Sequence, residues 1–230
     1  MMKEVAEKSN SEEMLLKEVR QMADIIASSL PDRIQISALS LKSKIPFKAI
    51  ALRELLLHRI SALATPGVEL FEQKKFIPAV ILTRSIAETF ALFYAMYDKI
   101  ICFLDTKNID KLDDFLMPSL VGARNFDKLR SPQNILKWID CVDKKIIPNF
   151  RNNYDNLCEI THPNWAGILG ALGKIDHQAF ELKLGLIKDS PTQMAGLNTL
   201  SSTLMAFYHY YNASADLMLK LNEYFEQSDS

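Results

Sequence analysis

Between Phe76 and Leu104 the chain carries a run whose apolar residues do not keep to one side of a helix. Wound at about 100° per residue, Leu82, Ile86, Phe90, Phe93 and Tyr97 cover one half of the surface. Val80, Ala87, Ala91 and Ala95 cover much of the other half. A helix that is apolar all round has no face to give to water, so it belongs in the middle of a bundle. Arg84, Glu88, Asp98 and Lys99 interrupt the run. Only nine uncharged residues separate Glu88 from Asp98. A membrane span needs about 20, so no membrane partner is expected.

Arg84 and Glu88 stand four residues apart on the alanine side of this rod, a spacing that lets them pair. Their small neighbours admit another helix closely, and such an approach desolvates both charges. Burial costs several kcal/mol per ion unless pairing and further hydrogen bonds offset it. Two readings follow. The pair is a structural tie that fixes how the helices register, or it lines a polar pocket inside the bundle.

The other segments also read as helices. Asn10 or Ser9, answered by Glu12 and Glu13, caps a first helix that ends at Pro31. Arg33 to Ile36 alternates like a short extended piece, and a second helix spans about 47–71, kinked or interrupted at Pro66-Gly67. The central helix covers about 78–103 and a short one about 109–120, containing or ending at Pro118. Ser131-Pro132 opens a helix to Lys145, and Pro148 opens another that stops near His162, because Pro163 turns the residue before it away from helix. Asp176-His177 turns a small hairpin between Leu172 and Leu184. Ser190-Pro191 caps a long last helix to about Phe225. No linker or fixed-period repeat divides the 230 residues. The expectation is an all-α single domain, 1–230, with a core over 47–225 and a disordered lead over 1–10. It is a bundle of about six to seven helices with a small β-hairpin before the last.

Composition narrows the function classes. The net charge of −1 supplies no bulk basic field for nucleic acid, although a local patch is not touched by that sum. The N-terminus has no apolar h-region, and Cys102, Cys141 and Cys158 form no C-x-x-C. They read as small buried hydrophobes of a reducing compartment, and cytoplasmic is the expected location. P-loop, G-x-G-x-x-G, G-x-S-x-G and H-E-x-x-H patterns are all missing, so no cofactor is expected.

A second polar constellation closes the helix before Pro163. Phe150, Tyr154, Leu157, Cys158 and Thr161 share a face, and His162 sits at its edge in the last turn. A helix C-terminus stabilises a protonated imidazole, so His162 is either a cap or a positioned acid or base. Glu159-x-x-His162 has the spacing of a di-metal bundle ligand pair, but His58, His177 and His209 have no Glu three residues earlier, so no metal is expected. The aromatic run Phe207-Tyr208-His209-Tyr210-Tyr211 has no adjacent Lys or Arg and reads as packing, with base stacking the other option.

The run Ala79-Val80-Ile81-Leu82-Thr83-Arg84-Ser85-Ile86-Ala87-Glu88-Thr89, followed by Tyr154-x-x-Leu157-Cys158-x-x-x-His162-Pro163-Asn164, resembles bacterial proteins of the HEPN-like superfamily. These are nucleotide- and RNA-related helical bundles among toxins, abortive-infection factors and CRISPR components. The resemblance implies an all-α bundle, often a homodimer, with a polar site between helices. Active members cut RNA without metal, using an Arg and a His a few residues apart on a late helix. This chain departs from that pattern. The nearest Arg before His162 is Arg151, eleven residues away, or about 16 Å along a helix. A literal match, Arg53 to His58, lies on an early helix, where Arg53, His58 and Arg59 read as a solvated or helix-flanking cluster.

Two expectations result. In the first, RNA or a nucleotide binds in a groove formed by Arg84, Glu88, Tyr154, Glu159, His162 and Asn164. If that groove is catalytic, Arg84 stabilises phosphate charge, His162 is the general acid or base, and Glu88 orients one of them. In the second, the chain is a non-catalytic helical module for dimerisation or protein binding, and its ion pair is architectural.

Overall fold

A computed structural model describes residues 2–126, 128–185 and 191–227, with side chains over 11–126, 128–185 and 194–227. Its elements are α1 (Met2–Ser28), a 3-10 turn (Ile36–Ala38), α2 (Ile45–Glu72), α3 (Phe76–Thr106), α4 (Ile109–Val121), α5 (Ile135–Lys145) and α6 (Phe150–Thr161). A single turn α7 (Leu169–Leu172), strands β1 (Gly173–Asp176) and β2 (Glu181–Leu184), and α8 (Pro191–Gln227) complete them. Seven long helices and one hairpin before the last make the all-α bundle anticipated from periodicity.

α3 is its axis. It packs against α2, α4, α5, α6 and α8, while α1 closes the outside over α2 and α8. Ile86, Ala87, Phe90, Ala91, Phe93, Ala95 and Met96 are all completely buried, from both halves of the helix surface. By length and composition α3 could also cross a membrane, and half of its apolar stretch is buried inside the bundle. Its α8 side is an aromatic seam. Phe93 meets Phe207 with ring centroids 4.9 Å apart, and Tyr94 and Tyr97 each meet Tyr210 at 5.1 Å. The run at 207–211 is therefore packing on its inner side, with Tyr208 and His209 facing out.

Several local expectations need correction. α1 runs back to Met2, so Ser9 and Asn10 lie within the helix and do not start it. α2 passes through Pro66 unbroken, and a Cβ at the adjacent Gly67 would meet Leu82 of α3 at 3.7 Å, an ordinary contact, so the approach of α3 does not require the glycine. Gln35 is extended (φ −79°, ψ 90°), in keeping with the short extended piece read at Arg33 to Ile36, and the 3-10 turn begins at Ile36. α5 starts at Ile135, capped by the Asn134 side chain accepting from the Leu136 N–H at 3.2 Å, so Ser131-Pro132 stays in the connection. Cys102 is exposed, and Cys141 and Cys158 are half-buried, so none is the fully buried hydrophobe expected. The Ser190 cap lies outside the described residues.

Where Pro163 was expected to stop α6, it does. His162 is extended (φ −86°, ψ 145°) and its N–H still donates to the Cys158 carbonyl at 3.1 Å. At the other end Asn149 takes φ 63°, and the Arg151 N–H is satisfied by Asp143 Oδ1 of α5 at 3.1 Å. These two ends, with Phe150 edge-on to Phe90 at 6.2 Å, set how α6 lies on α3.

Truncating this contact tests the central position of α3. Phe90→Ala should lower unfolding free energy in urea by about 3–5 kcal/mol, whereas Leu219→Ala on the exposed side of α8 should change it by about 0.5 kcal/mol or less.

Candidate functional site

Arg84 and Glu88 lie one turn apart on α3, and Tyr154 of α6 comes down between them. Arg84 Nη2 is 3.0 Å from Glu88 Oε1. The same nitrogen donates to the Tyr154 hydroxyl at 3.3 Å, and that hydroxyl donates to Glu88 Oε1 at 2.7 Å. The three groups close a ring across the α3–α6 interface. The Tyr154 hydroxyl uses its one donor on the carboxylate and accepts from the guanidinium.

The charges are less buried than the alanine-lined face suggests. Ala87, Ala91 and Ala95 are fully buried, but the Arg84 and Glu88 side chains keep 30% and 28% of their surface. Both extend past the small residues to the rim, where water screens their attraction. Burial alone would lower the Arg84 pKa; the Tyr154 hydrogen bond and the Glu88 charge outweigh it and hold the pKa above its ordinary value. Burial chiefly, and then the hydrogen bond to Glu88, pushes the Tyr154 hydroxyl strongly up, so it stays neutral. Arg84 Nε is buried without a hydrogen-bond partner.

The remaining candidates do not join this ring. Asn164 Nδ2 donates to Glu159 Oε2 at 2.6 Å, and Asn164 Oδ1 accepts from the Ala166 and Gly167 N–H groups at 3.0 and 3.2 Å. Those bonds tie the end of α6 to the loop after it. Glu159 is five residues beyond Tyr154, about 140° around the helix, and so points away from α3. His162 is exposed, and its imidazole makes no hydrogen bond or ion pair among the described residues. It lies eight residues beyond Tyr154, about 12 Å further along α6. Arg84, Glu88 and Tyr154 therefore form one cluster, Glu159 and Asn164 another, and His162 stands outside both.

The most buried ion pair among the described residues is one that spacing arguments do not single out. Arg53 and Glu54 of α2 are adjacent, with side chains 12% and 11% exposed, and they pair directly. Arg53 also donates to Ser214 Oγ at 2.8 Å, to the Tyr211 hydroxyl at 3.1 Å and to the Tyr211 carbonyl at 3.1 Å. Its guanidinium carbon lies 3.7 Å from the Tyr211 ring centroid. The Tyr211 hydroxyl donates to Glu54 Oε2 at 2.7 Å, and burial together with that bond pushes its pKa up to about 12. Arg53 is thus an internal α2–α8 tie, not a solvated residue. His58, five residues later and about 140° around, faces out and contacts the Pro31 carbonyl at 2.9 Å through Nε2, so the literal Arg–His match forms no shared site. Arg59 donates to Thr89 Oγ1 at 3.1 Å.

No group of three or more His, Cys, Asp or Glu side chains suited to a metal occurs among the described residues. A concavity of about 250 Å³ lies elsewhere, between α1 and α8, lined by Val19, Met22, Ile25 and Met205. No family model matches the chain, and neither a curated protein nor a solved structure matches it.

The buried hydroxyls have a measurable consequence. Tyr94, where burial is the chief cause, and Tyr211 are each pushed up to about 12, and Tyr154 is also raised. An unfolded tyrosine ionises near pH 10, so above that pH the unfolded chain releases protons that the folded chain keeps. The contribution of these tyrosines to the unfolding free energy should be level below about pH 10 and fall from there toward pH 12. Tyr154→Phe and Tyr211→Phe should each make the fall shallower in urea titrations. An unchanged slope in both variants would mean those hydroxyls titrate as in water.

Proposed function

We propose that this chain is a non-catalytic helical interaction module, in which Arg84, Glu88 and Tyr154 lock α6 against α3. The observation that carries the reading is the closed ring of the three side chains. The tyrosine hydroxyl is used as donor and acceptor, and the carboxylate takes both the cation and the phenol. A general acid or base has to reach a reacting proton and is normally oriented by a second group. His162 is exposed and unoriented, at the far end of α6 from the cation it was expected to serve.

The RNA- or nucleotide-binding reading retains one specific point in its favour. Arg84 is a cation whose side chain keeps 30% of its surface in solvent, although its unpartnered Nε is buried out of reach of a ligand. A phosphate oxygen is a natural acceptor for the part of the guanidinium that faces solvent, but the adjacent Glu88 carboxylate opposes an anion there.

Incubation with a mixed RNA pool, alongside thermal melts, separates the two. On the module reading, wild type, His162→Ala and Arg84→Ala all leave RNA intact and unbound. Arg84→Ala melts lower, because it strips the cation from a half-buried carboxylate, and His162→Ala melts as wild type. Cleavage or retention of RNA that is lost in either variant overturns the reading.

A further inference from the structure

The connection from α4 to α5, residues 122–134, is long for a helical bundle, where about 2–8 residues suffice. Its base is pinned. The Gly122 N–H donates to the Pro118 carbonyl at 3.0 Å. A Cβ at Gly122 would run into that carbonyl and come within 2.8 Å of Pro132 Cα, so this close approach requires the glycine. The Ala123 N–H donates to the Arg130 carbonyl at 3.0 Å and closes the neck, and Gln133 Nε2 ties the outgoing chain to the Phe115 carbonyl of α4 at 3.1 Å. Beyond the neck the Leu129 N–H donates to the Phe126 carbonyl at 2.9 Å. That bond makes one turn of residues 126–129 and keeps the Cα atoms of Phe126 and Leu129 within about 7 Å. Residues 124–126 and 128–132 are all exposed, so the turn stands off the bundle.

The loop is apolar at its tip and cationic around it. Phe126 is 65% exposed and Leu129 44%. A lone exposed apolar side chain needs no explanation, but these two are held together at the ends of one turn beyond a fixed neck. Arg124, Lys128 and Arg130 surround them in sequence against the single carboxylate of Asp127, which leaves 122–130 at net +2 in a chain of net −1. Charges more than about 10 Å away are screened at 0.1 M salt, so the local balance decides what approaches. Arg130 Nη1 lies 3.0 Å from Asp114 Oδ1 of α4 and is taken up there. Arg124 and Lys128 make no hydrogen bond or ion pair among the described residues, outside which Asp127 lies, and they are the cations left for a partner.

We infer that this loop docks the protein on the surface of an anionic lipid bilayer, with Phe126 and Leu129 entering the headgroup–acyl boundary and Arg124 and Lys128 meeting lipid phosphates. A bilayer offers both chemistries side by side, an apolar layer a few ångströms beneath a layer of negative charge. Nucleic acid supplies the phosphates but no apolar layer for a leucine, and one phenylalanine is a small platform for stacked bases. A second copy meeting the loop tip to tip would set cations against cations. Surface docking needs no spanning helix, so α3 keeps its place inside the bundle. The inference goes beyond the module reading and does not rest on it, because no residue of the loop belongs to the Arg84–Glu88–Tyr154 ring.

Flotation of the full chain with vesicles tests this. Wild type should float with phosphatidylcholine–phosphatidylglycerol vesicles at about 0.1 M salt and stay behind with phosphatidylcholine alone. Most of the binding should be lost at about 1 M salt, where the screening length falls to about 3 Å. Phe126→Ser should weaken binding about tenfold or more, and Lys128→Glu about fivefold or more. Both side chains are exposed, so helical circular dichroism and melting temperature should not change. Phe180→Ser, in the hairpin turn and 95% exposed, should float as wild type does. A wild type that stays behind with both kinds of vesicle overturns the inference, as do loop variants that float undiminished or a Phe180→Ser that fails to float. Retention of RNA that is lost in both loop variants but kept in Arg84→Ala would make nucleic acid the occupant. A dimer in sedimentation that the loop variants dissociate would make it a second copy. Either result overturns the bilayer.

Discussion

The bundle depends on α3 being enclosed from every side. All the other long helices except α1 lean on it, and α1 rests on two that do. This follows from a surface with no wet stripe: fully buried aromatics on one half and fully buried alanines on the other. Large side chains meet both α8 and α6, as Phe93 meets Phe207 and Phe90 meets Phe150, and the charged side chains reach the rim beyond the alanines. Arg84 and Glu88 occupy that rim, anchored in the core and charged at the edge.

Polar ties then fix orientations that apolar packing alone leaves loose. Each of the two main ones joins an arginine, a glutamate and a tyrosine. In the inner tie α2 supplies both charges and α8 the phenol; in the outer tie α3 supplies both charges and α6 the phenol. The inner one is more deeply buried and is further satisfied by Ser214 and a backbone carbonyl. Buried charges of this kind add little net stability over a hydrophobic replacement, but removing one member leaves the others uncompensated. Their contribution here lies in geometry, holding the last long helix and α6 to single positions.

Much of this was legible in the residues. The all-round apolar pattern placed α3 at the centre, Pro163 ended α6, and the hairpin read between Leu172 and Leu184 agrees in its limits within one residue, although Asp176 pairs with Glu181 and the turn falls at 177–180 rather than at Asp176-His177. The Arg84–Glu88 pair also followed from spacing, because partners four apart share a helix face. Illegible features were those set across elements. Arg53 and Glu54 are neighbours in sequence, and adjacent residues on a helix do not face each other, so only the arrival of Tyr211 and Ser214 from α8 makes them a site. Ser131 and Asn134 are equally good caps on paper; the Asn caps α5, and Gln133 before it donates to the Phe115 carbonyl of α4 at 3.1 Å. The distance between His162 and Arg84 is likewise a matter of how α6 crosses α3. That crossing is made by contacts between the two helices, the Phe90–Phe150 pair and the Arg84–Glu88–Tyr154 ring, which no local spacing shows.

The account stands on Glu88 and Tyr154 acting as one unit across two helices. A double-mutant cycle with Glu88→Gln, Tyr154→Phe and the pair, measured by urea unfolding at neutral pH, addresses this directly. The lock predicts that the two losses fail to add, with a coupling of about 1 kcal/mol or more. Strict additivity within error would mean that the hydroxyl and the carboxylate contribute separately, and that something other than this ring holds α6 to the core.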